Sequence, residues 1–167
     1  MSKLPVYIRG KAAHCALGDD VEIMVNAMRD CRAHVSHIPL SRTGQDYSRP
    51  YFMIAGRNGG TSEVGMDFHE VLYETVEKAV ADAGLGKAEI KELPIFFGST
   101  CIDIPLYEAT YQTASHVLSQ TASGYGNIAN DLALRLGTNG ACYTFTTACT
   151  SSANGLLYAA GMIARGT

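Results

Sequence analysis

An α/β fold with a largely parallel sheet and helices on both of its faces is what this 167-residue sequence predicts. Three observations carry that expectation. Residues 94–98, Pro-Ile-Phe-Phe-Gly, are a continuous apolar run bounded by turn residues, the pattern of a parallel strand buried on both faces. Residues 68–83 place Phe68, Val71, Leu72, Val76, Ala79, Val80 and Ala83 at helical spacing, with Glu70, Glu74, Glu77 and Lys78 mostly outside that stripe. Residues 143–166 read as a strand, a sharp turn carrying a cysteine, and a helix.

In chain order, residues 5–10 read as a first strand entering a loop. Asp19 or Asp20 stands where a cap opens a helix reaching about Asp30, with Val21, Met24, Val25 and Met28 on one stripe. Residues 31–50 are polar and irregular, punctuated by Gly44 and Pro50, and predict a loop. A short apolar run at 51–55 predicts a strand, followed by a second loop over 56–65. Gly84 and Gly86 end the helix that begins at Phe68. After the strand at 94–98, a loop leads into a helix around 107–120, and residues 126–137 form a short helix with its own glycine stop.

Residues 143–148 are β-branched or aromatic apart from Ala148, which suits a strand on a pleated surface. Ser151 and Ser152 stand where side chains cap the exposed amides of a helix start, and Gly166 stands where a helix closes. Between them the helix is apolar on almost every side, with only Asn154, Tyr158 and Arg165 polar, so it is expected to be buried on all faces. It is too short and too interrupted to span a membrane.

Composition narrows the function classes. A chain of this length is expected to make one domain, 1–167, and its 47% apolar and 17% charged residues exclude disorder. A net charge of −3 leaves no electrostatic footprint for nucleic acid. The N-terminus has no long apolar run, so no secretory signal is expected. The five cysteines, 15, 31, 101, 142 and 149, are odd in number and without close pairing, which fits reduced thiols in the cytoplasm.

The chemical signal is Cys149. A thiol at a helix head meets unsatisfied N–H groups and the positive end of the helix dipole, both of which favour a negatively charged sulfur. A nucleophile on a tight strand-to-helix turn is also held out towards a substrate. The bland alternative is a small buried core cysteine. Two other constellations compete. Cys31, His34 and His37, with His14 and Cys15, offer metal-binding donors, but the paired-knuckle spacing of structural zinc is missing and no metal is expected. A cysteine hydrolase needs a histidine near Cys149, and His116 or His69 would have to serve.

Thr-Ala-Cys-Thr-Ser-Ser-Ala at 147–153, preceded by the helix and glycine turn of residues 128–140, resembles the active-site segment of β-ketoacyl-ACP synthases. That resemblance implies a thiolase-like fold, of which this chain is the N-terminal half. It implies that Cys149 carries an acyl group, with its backbone N–H in the oxyanion hole, while malonyl-ACP is decarboxylated and condensed onto it. Ile102, Ile104 and Leu106 become candidates for the acyl pocket. The resemblance also implies an acyl carrier protein as partner, substrates borne on its phosphopantetheine with no further cofactor, and a dimer, homodimeric or paired with a chain-length factor, through the strand at about 142–147. The family's second half supplies two histidines, a lysine and the other oxyanion donor. None of this chain's five histidines stands in a matching context. The chain stops at Thr167, where the family's next strand begins, so it is not expected to condense anything alone. A non-catalytic partner of the chain-length-factor kind and a thiolase-type acyltransferase are the alternatives.

Overall fold

The computed structural model describes residues 5–40, 47–52, 54, 64–100 and 125–166. Of the loop expected over 56–65, residues 56–63 lie outside the described residues, as do the pocket candidates Ile102, Ile104 and Leu106, the helix expected around 107–120 and His116, whereas Val64 and Gly65 are helical. The chain divides into two compact units, one of residues 10–83 and one of residues 1–9 with 84–167.

In the 10–83 unit, α1 (Val21–Arg29) opens at Asp20, whose Oδ1 accepts from the N–H groups of Glu22 at 2.7 Å and Ile23 at 3.3 Å. Cys31, at φ 53°, closes it: its N–H donates to Met28 O, and the Arg32 N–H to Ala27 O. The expected apolar stripe on α1 is only partly used. Ala27 is the buried residue, whereas Val25 and Met28 are exposed.

The expectation of a loop over 31–50 is overturned. β1 (Val35–Leu40) and β2 (Tyr47–Phe52) form an antiparallel ribbon in the register Val35↔Phe52 to Leu40↔Tyr47. The strand expected at 51–55 is thus the end of one that starts earlier. Pro39 and Pro50 argued against strands there, since proline cannot donate to a ladder. Each strand of a two-stranded ribbon keeps an outward edge, and that is where proline is tolerated.

Helix α2 (Val64–Asp82) starts four residues before the expected Phe68. Its charged residues Glu70, Glu74, Glu77 and Lys78 are exposed, while Val71, Leu72, Val76, Ala79 and Val80 are half-buried, as the periodicity predicts. Lys78 reaches Asp19 at 2.9 Å and holds its carboxyl below the ordinary range, chiefly through that hydrogen bond.

The second unit contains the sheet that matters for the site. Residues 5–10 do not form the expected strand. Tyr7 and Ile8 are more than 80% exposed and pair with no strand among the described residues, because apolar composition proposes a strand but only a partner makes one. A short helix the sequence reading did not anticipate, α3 (Lys87–Lys91), starts at Gly86, whose N–H donates to Glu89 Oε2 at 2.9 Å. β3 (Ile95–Gly98) then runs parallel to β4 (Cys142–Phe145), in register Ile95↔Cys142 to Gly98↔Phe145. Phe97 is buried and its neighbours Ile95 and Phe96 are half-buried, so the strand is covered less completely than a fully enclosed one.

Between the strands comes α4 (Tyr125–Leu136), whose Ile128, Ala129, Leu132 and Ala133 are buried. After β4, a 3₁₀ turn (Ala148–Thr150) leads into α5 (Ser151–Arg165), closed by Gly166 at φ 75°. Helices α4 and α5 both pack on β3 and β4. They take opposite faces. Cys142 Sγ approaches Ala129 O on α4 at 3.6 Å, whereas Tyr143 and Phe145 lie against Tyr158 of α5 with ring centroids 5.9 and 5.8 Å apart. Phe96 stacks on Tyr143 at 4.9 Å and completes that aromatic cluster.

The loop after α4 is stitched to the loop before β3. Buried Thr138 donates through Oγ1 to Leu93 O at 2.5 Å and accepts from the Gly140 N–H at 3.1 Å, and the Asn139 N–H donates to Lys91 O at 2.8 Å. Thr138→Val therefore strands two backbone groups and is expected to lower stability by about 2 kcal/mol, read from urea denaturation. Glu89 is held below its ordinary value of 4.5, first by the Gly86 N–H and then by Arg9. A depressed carboxylate stabilises above its unfolded-state value and loses that contribution as pH falls through its folded one. Stability measured from neutral pH downward is thus expected to fall below pH 4.5, less steeply in Glu89→Gln.

Candidate functional site

Parallel strands present their C-terminal ends to one edge, and the turn after β4 emerges there beside the end of β3. Gly98 makes that approach possible. A Cβ on Gly98 would sit 2.5 Å from Ser151 O and 2.7 Å from Ser152 Cα, so only a residue without a side chain lets the head of α5 lie against the strand. Ser152 Oγ donates to Gly98 O at 3.3 Å across the same contact.

The strand expected to continue to Ala148 ends at Phe145, and the chain turns through Thr146 and Thr147. Ala148 is left-handed, at φ 52°, a conformation that costs a residue bearing a Cβ about 1–2 kcal/mol. Cys149 follows in the 3₁₀ turn and is exposed. Its backbone N–H makes no hydrogen bond among the described residues.

The serines do not cap α5 as expected; no side chain caps it. Ser151 is buried, and its Oγ accepts from the Thr147 N–H at 2.9 Å while donating to Ala148 O at 2.7 Å. Its hydroxyl is used to brace the backbone on the strand side of the cysteine, and Ser152 is used on Gly98. Sequence reading missed two further members. Thr150 Oγ1 donates to Thr147 O at 2.8 Å, and the Asn154 carboxamide donates to Thr147 Oγ1 at 2.7 Å. The available signal was spacing, since Asn154 stands four residues after Thr150 on one helix face.

The competing constellations come out differently. His14, Cys15 and His34 line one cavity of about 870 Å³ in the 10–83 unit, with Asp19, Arg32 and Glu74. Cys31 closes α1 through its backbone N–H, and its exposed thiol is not among that cavity's lining. Among the described residues, no three of His, Cys, Asp and Glu are gathered as a metal site. His69 stacks on Tyr73 along α2, with ring centroids 6.2 Å apart. Among the described residues, no helix is long and apolar enough to cross a membrane.

The expectation that α5 is covered all round is not met. Ser151 and Gly155 are buried against the sheet side, but Leu156 and Leu157 are 68% and 74% exposed and Ile163 is exposed too. The described residues place a sheet on one side of α5 and no second layer on the other.

A family model described as the β-ketoacyl synthase N-terminal domain matches residues 3–167. The chain belongs to the β-ketoacyl synthase family. No curated protein matches it. A solved β-ketoacyl synthase from Burkholderia phymatum STM815 is similar, with a TM-score of 0.73 and 20% identity over 99% of this chain and 44% of that one. A chain of the complex of the ketosynthase ApeO with its chain length factor ApeC, from Xenorhabdus doucetiae, gives a TM-score of 0.65 at 16% identity, covering 93% of this chain and 42% of that one. At those identities the likeness is one of fold: thiolase-like, N-terminal half. This ketosynthase-family chain spans less than half the length of each of these two solved chains.

The steric reading of Gly98 has a direct check. Gly98→Ala is expected to cost about 1–3 kcal/mol by pushing the head of α5 away. At Gly155 the nearest atoms to a new Cβ are Phe145 Cδ2 and Phe96 O, both at 3.7 Å, so Gly155→Ala is expected to stay within about 1 kcal/mol of the wild type. Parallel denaturation curves of the two variants test the contrast.

Proposed function

We propose that this chain carries the nucleophile of a decarboxylative Claisen condensation in fatty-acid or polyketide elongation. In this reading the Cys149 sulfur attacks an acyl thioester on the phosphopantetheine of an acyl carrier protein and takes the acyl group, while the carbon–sulfur bond to phosphopantetheine breaks and its sulfur leaves to become a free thiol. A malonyl thioester then loses carbon dioxide. The resulting carbanion attacks the Cys149 thioester carbonyl, forming the new carbon–carbon bond and releasing the sulfur. The carbonyl oxygen gathers negative charge in both steps, and a fixed N–H donor aimed at it lowers the barrier.

The observation that carries the reading is the exposed Cys149 at the head of α5, with its own N–H left unpaired among the described residues. Membership of the β-ketoacyl synthase family supports it. Because the chain spans less than half of the proteins it matches, the groups that polarise the malonyl thioester are assigned to a second half, and this chain alone is expected to be inactive. Among the described residues β4 pairs only with β3, which leaves an edge for the dimer expected along 142–147. Such a cysteine works reduced, and the reading puts the chain in the cytoplasm. The acyl carrier protein is its expected partner.

A second reading has support from one finding. The likeness to a ketosynthase–chain length factor complex favours a heterodimer, in which this chain is a partner that catalyses nothing itself. Cys31 makes the deciding control, because it is also exposed. Iodoacetamide is expected to label Cys149 well ahead of Cys31, and Cys149→Ala to abolish product in a reconstituted assay with acyl and malonyl carrier proteins. Equal labelling would sink the nucleophile reading, and undiminished product from Cys149→Ala would favour the non-catalytic partner.

A further inference from the structure

We infer that Asn154 is a positioning residue for Cys149, an inference that rests on reading Cys149 as the nucleophile. Neither the side chain of Asn154 nor its hydrogen bonds touch the sulfur. They act on the residues that flank it.

Ala148 holds a left-handed conformation that a residue with a Cβ disfavours, so something must keep it there. Two sets of bonds do so. Ser151 Oγ spans the turn from inside, between the Thr147 N–H at 2.9 Å and Ala148 O at 2.7 Å. On the exposed side, Thr150 Oγ1 donates to Thr147 O at 2.8 Å and lies 3.1 Å from Thr147 Oγ1. That outer pair would swing freely without an anchor in regular structure. Asn154 is the anchor. One turn into α5, it donates to Thr147 Oγ1 at 2.7 Å and meets Thr150 Oγ1 at 3.5 Å. The residue before Ala148 is thereby tied to the residue after Cys149, from a point fixed by the helix.

With both flanking threonines engaged, neither hydroxyl is free to turn towards the Cys149 N–H, which stays unpaired among the described residues. Loss of Asn154 releases the Thr147 side chain and lets the turn relax. The reactive group then spends less time in its presented geometry.

The test is the ratio of iodoacetamide labelling rates at Cys149 and Cys31 in the same full-length molecule, read by peptide mass spectrometry over a range of pH. Asn154→Leu is expected to lower that ratio about fivefold, the loss that one hydrogen bond brings. Thr147→Val is expected to do the same, Thr147→Ser to keep the wild-type ratio, and Asn154→Leu with Thr147→Val to be no worse than either alone. A merely structural role would move the denaturation midpoint and leave the ratio alone. An unchanged ratio in folded Asn154→Leu, or additive losses in the double variant, overturns the inference while leaving Cys149 as nucleophile. If Asn154→Leu does not fold, the contrast between Thr147→Val and Thr147→Ser decides in its place, and equal ratios for those two overturn it. A wild-type protein that labels both cysteines equally overturns this inference and the nucleophile reading together.

Discussion

A close backbone approach, Gly98 against the first residues of α5, is the constraint on which the arrangement of the site depends. It brings the exit of one parallel strand against the helix that follows the other, and so decides where the intervening turn can go. The rest of the unit serves that approach. The α4 side of the sheet is filled by a buried apolar face around Ile128, and the loops ahead of β3 and β4 are laced together by Thr138. The aromatic cluster of Phe96, Tyr143, Phe145 and Tyr158 fixes the angle at which α5 leaves. Packing sets the position to within a turn, and a handful of hydroxyls sets it within that turn.

The turn itself shows how a strained residue is kept. Ala148 sits where glycine would be at ease, and the cost is offset by four polar side chains within eight residues that spend their hydrogen bonds on one another and on the backbone. The consequence is a cysteine flanked by satisfied groups and itself unsatisfied.

Much of this was legible in the residues. The apolar run at 94–98 and the amphipathic period after Phe68 announce their elements because burial of one face dominates both. The seat of Cys149 between strand and helix was legible for a similar reason, since β-branched residues precede it and small helix formers follow. The ribbon at 35–52 was not. Its strands mix polar and apolar residues without regular alternation and hold two prolines, and what makes them strands is each other. Residues 5–10 err the opposite way, with strand-like composition and no strand partner among the described residues. At the site, the hydroxyls of Ser151 and Ser152 were visible but their targets were not, because composition names a donor without saying which acceptor the fold will bring. Asn154 read only as a polar interruption of an apolar helix.

The outward side of α5 has a practical consequence at the bench. A row of uncovered leucines and an isoleucine gives this polypeptide an oily flank that will find another copy of itself, a column matrix or a chaperone. Elution at twice the expected mass would then report stickiness as readily as pairing along β4. Co-expression with a polypeptide that covers that helix, rather than dilution or detergent, is the route to a well-behaved sample.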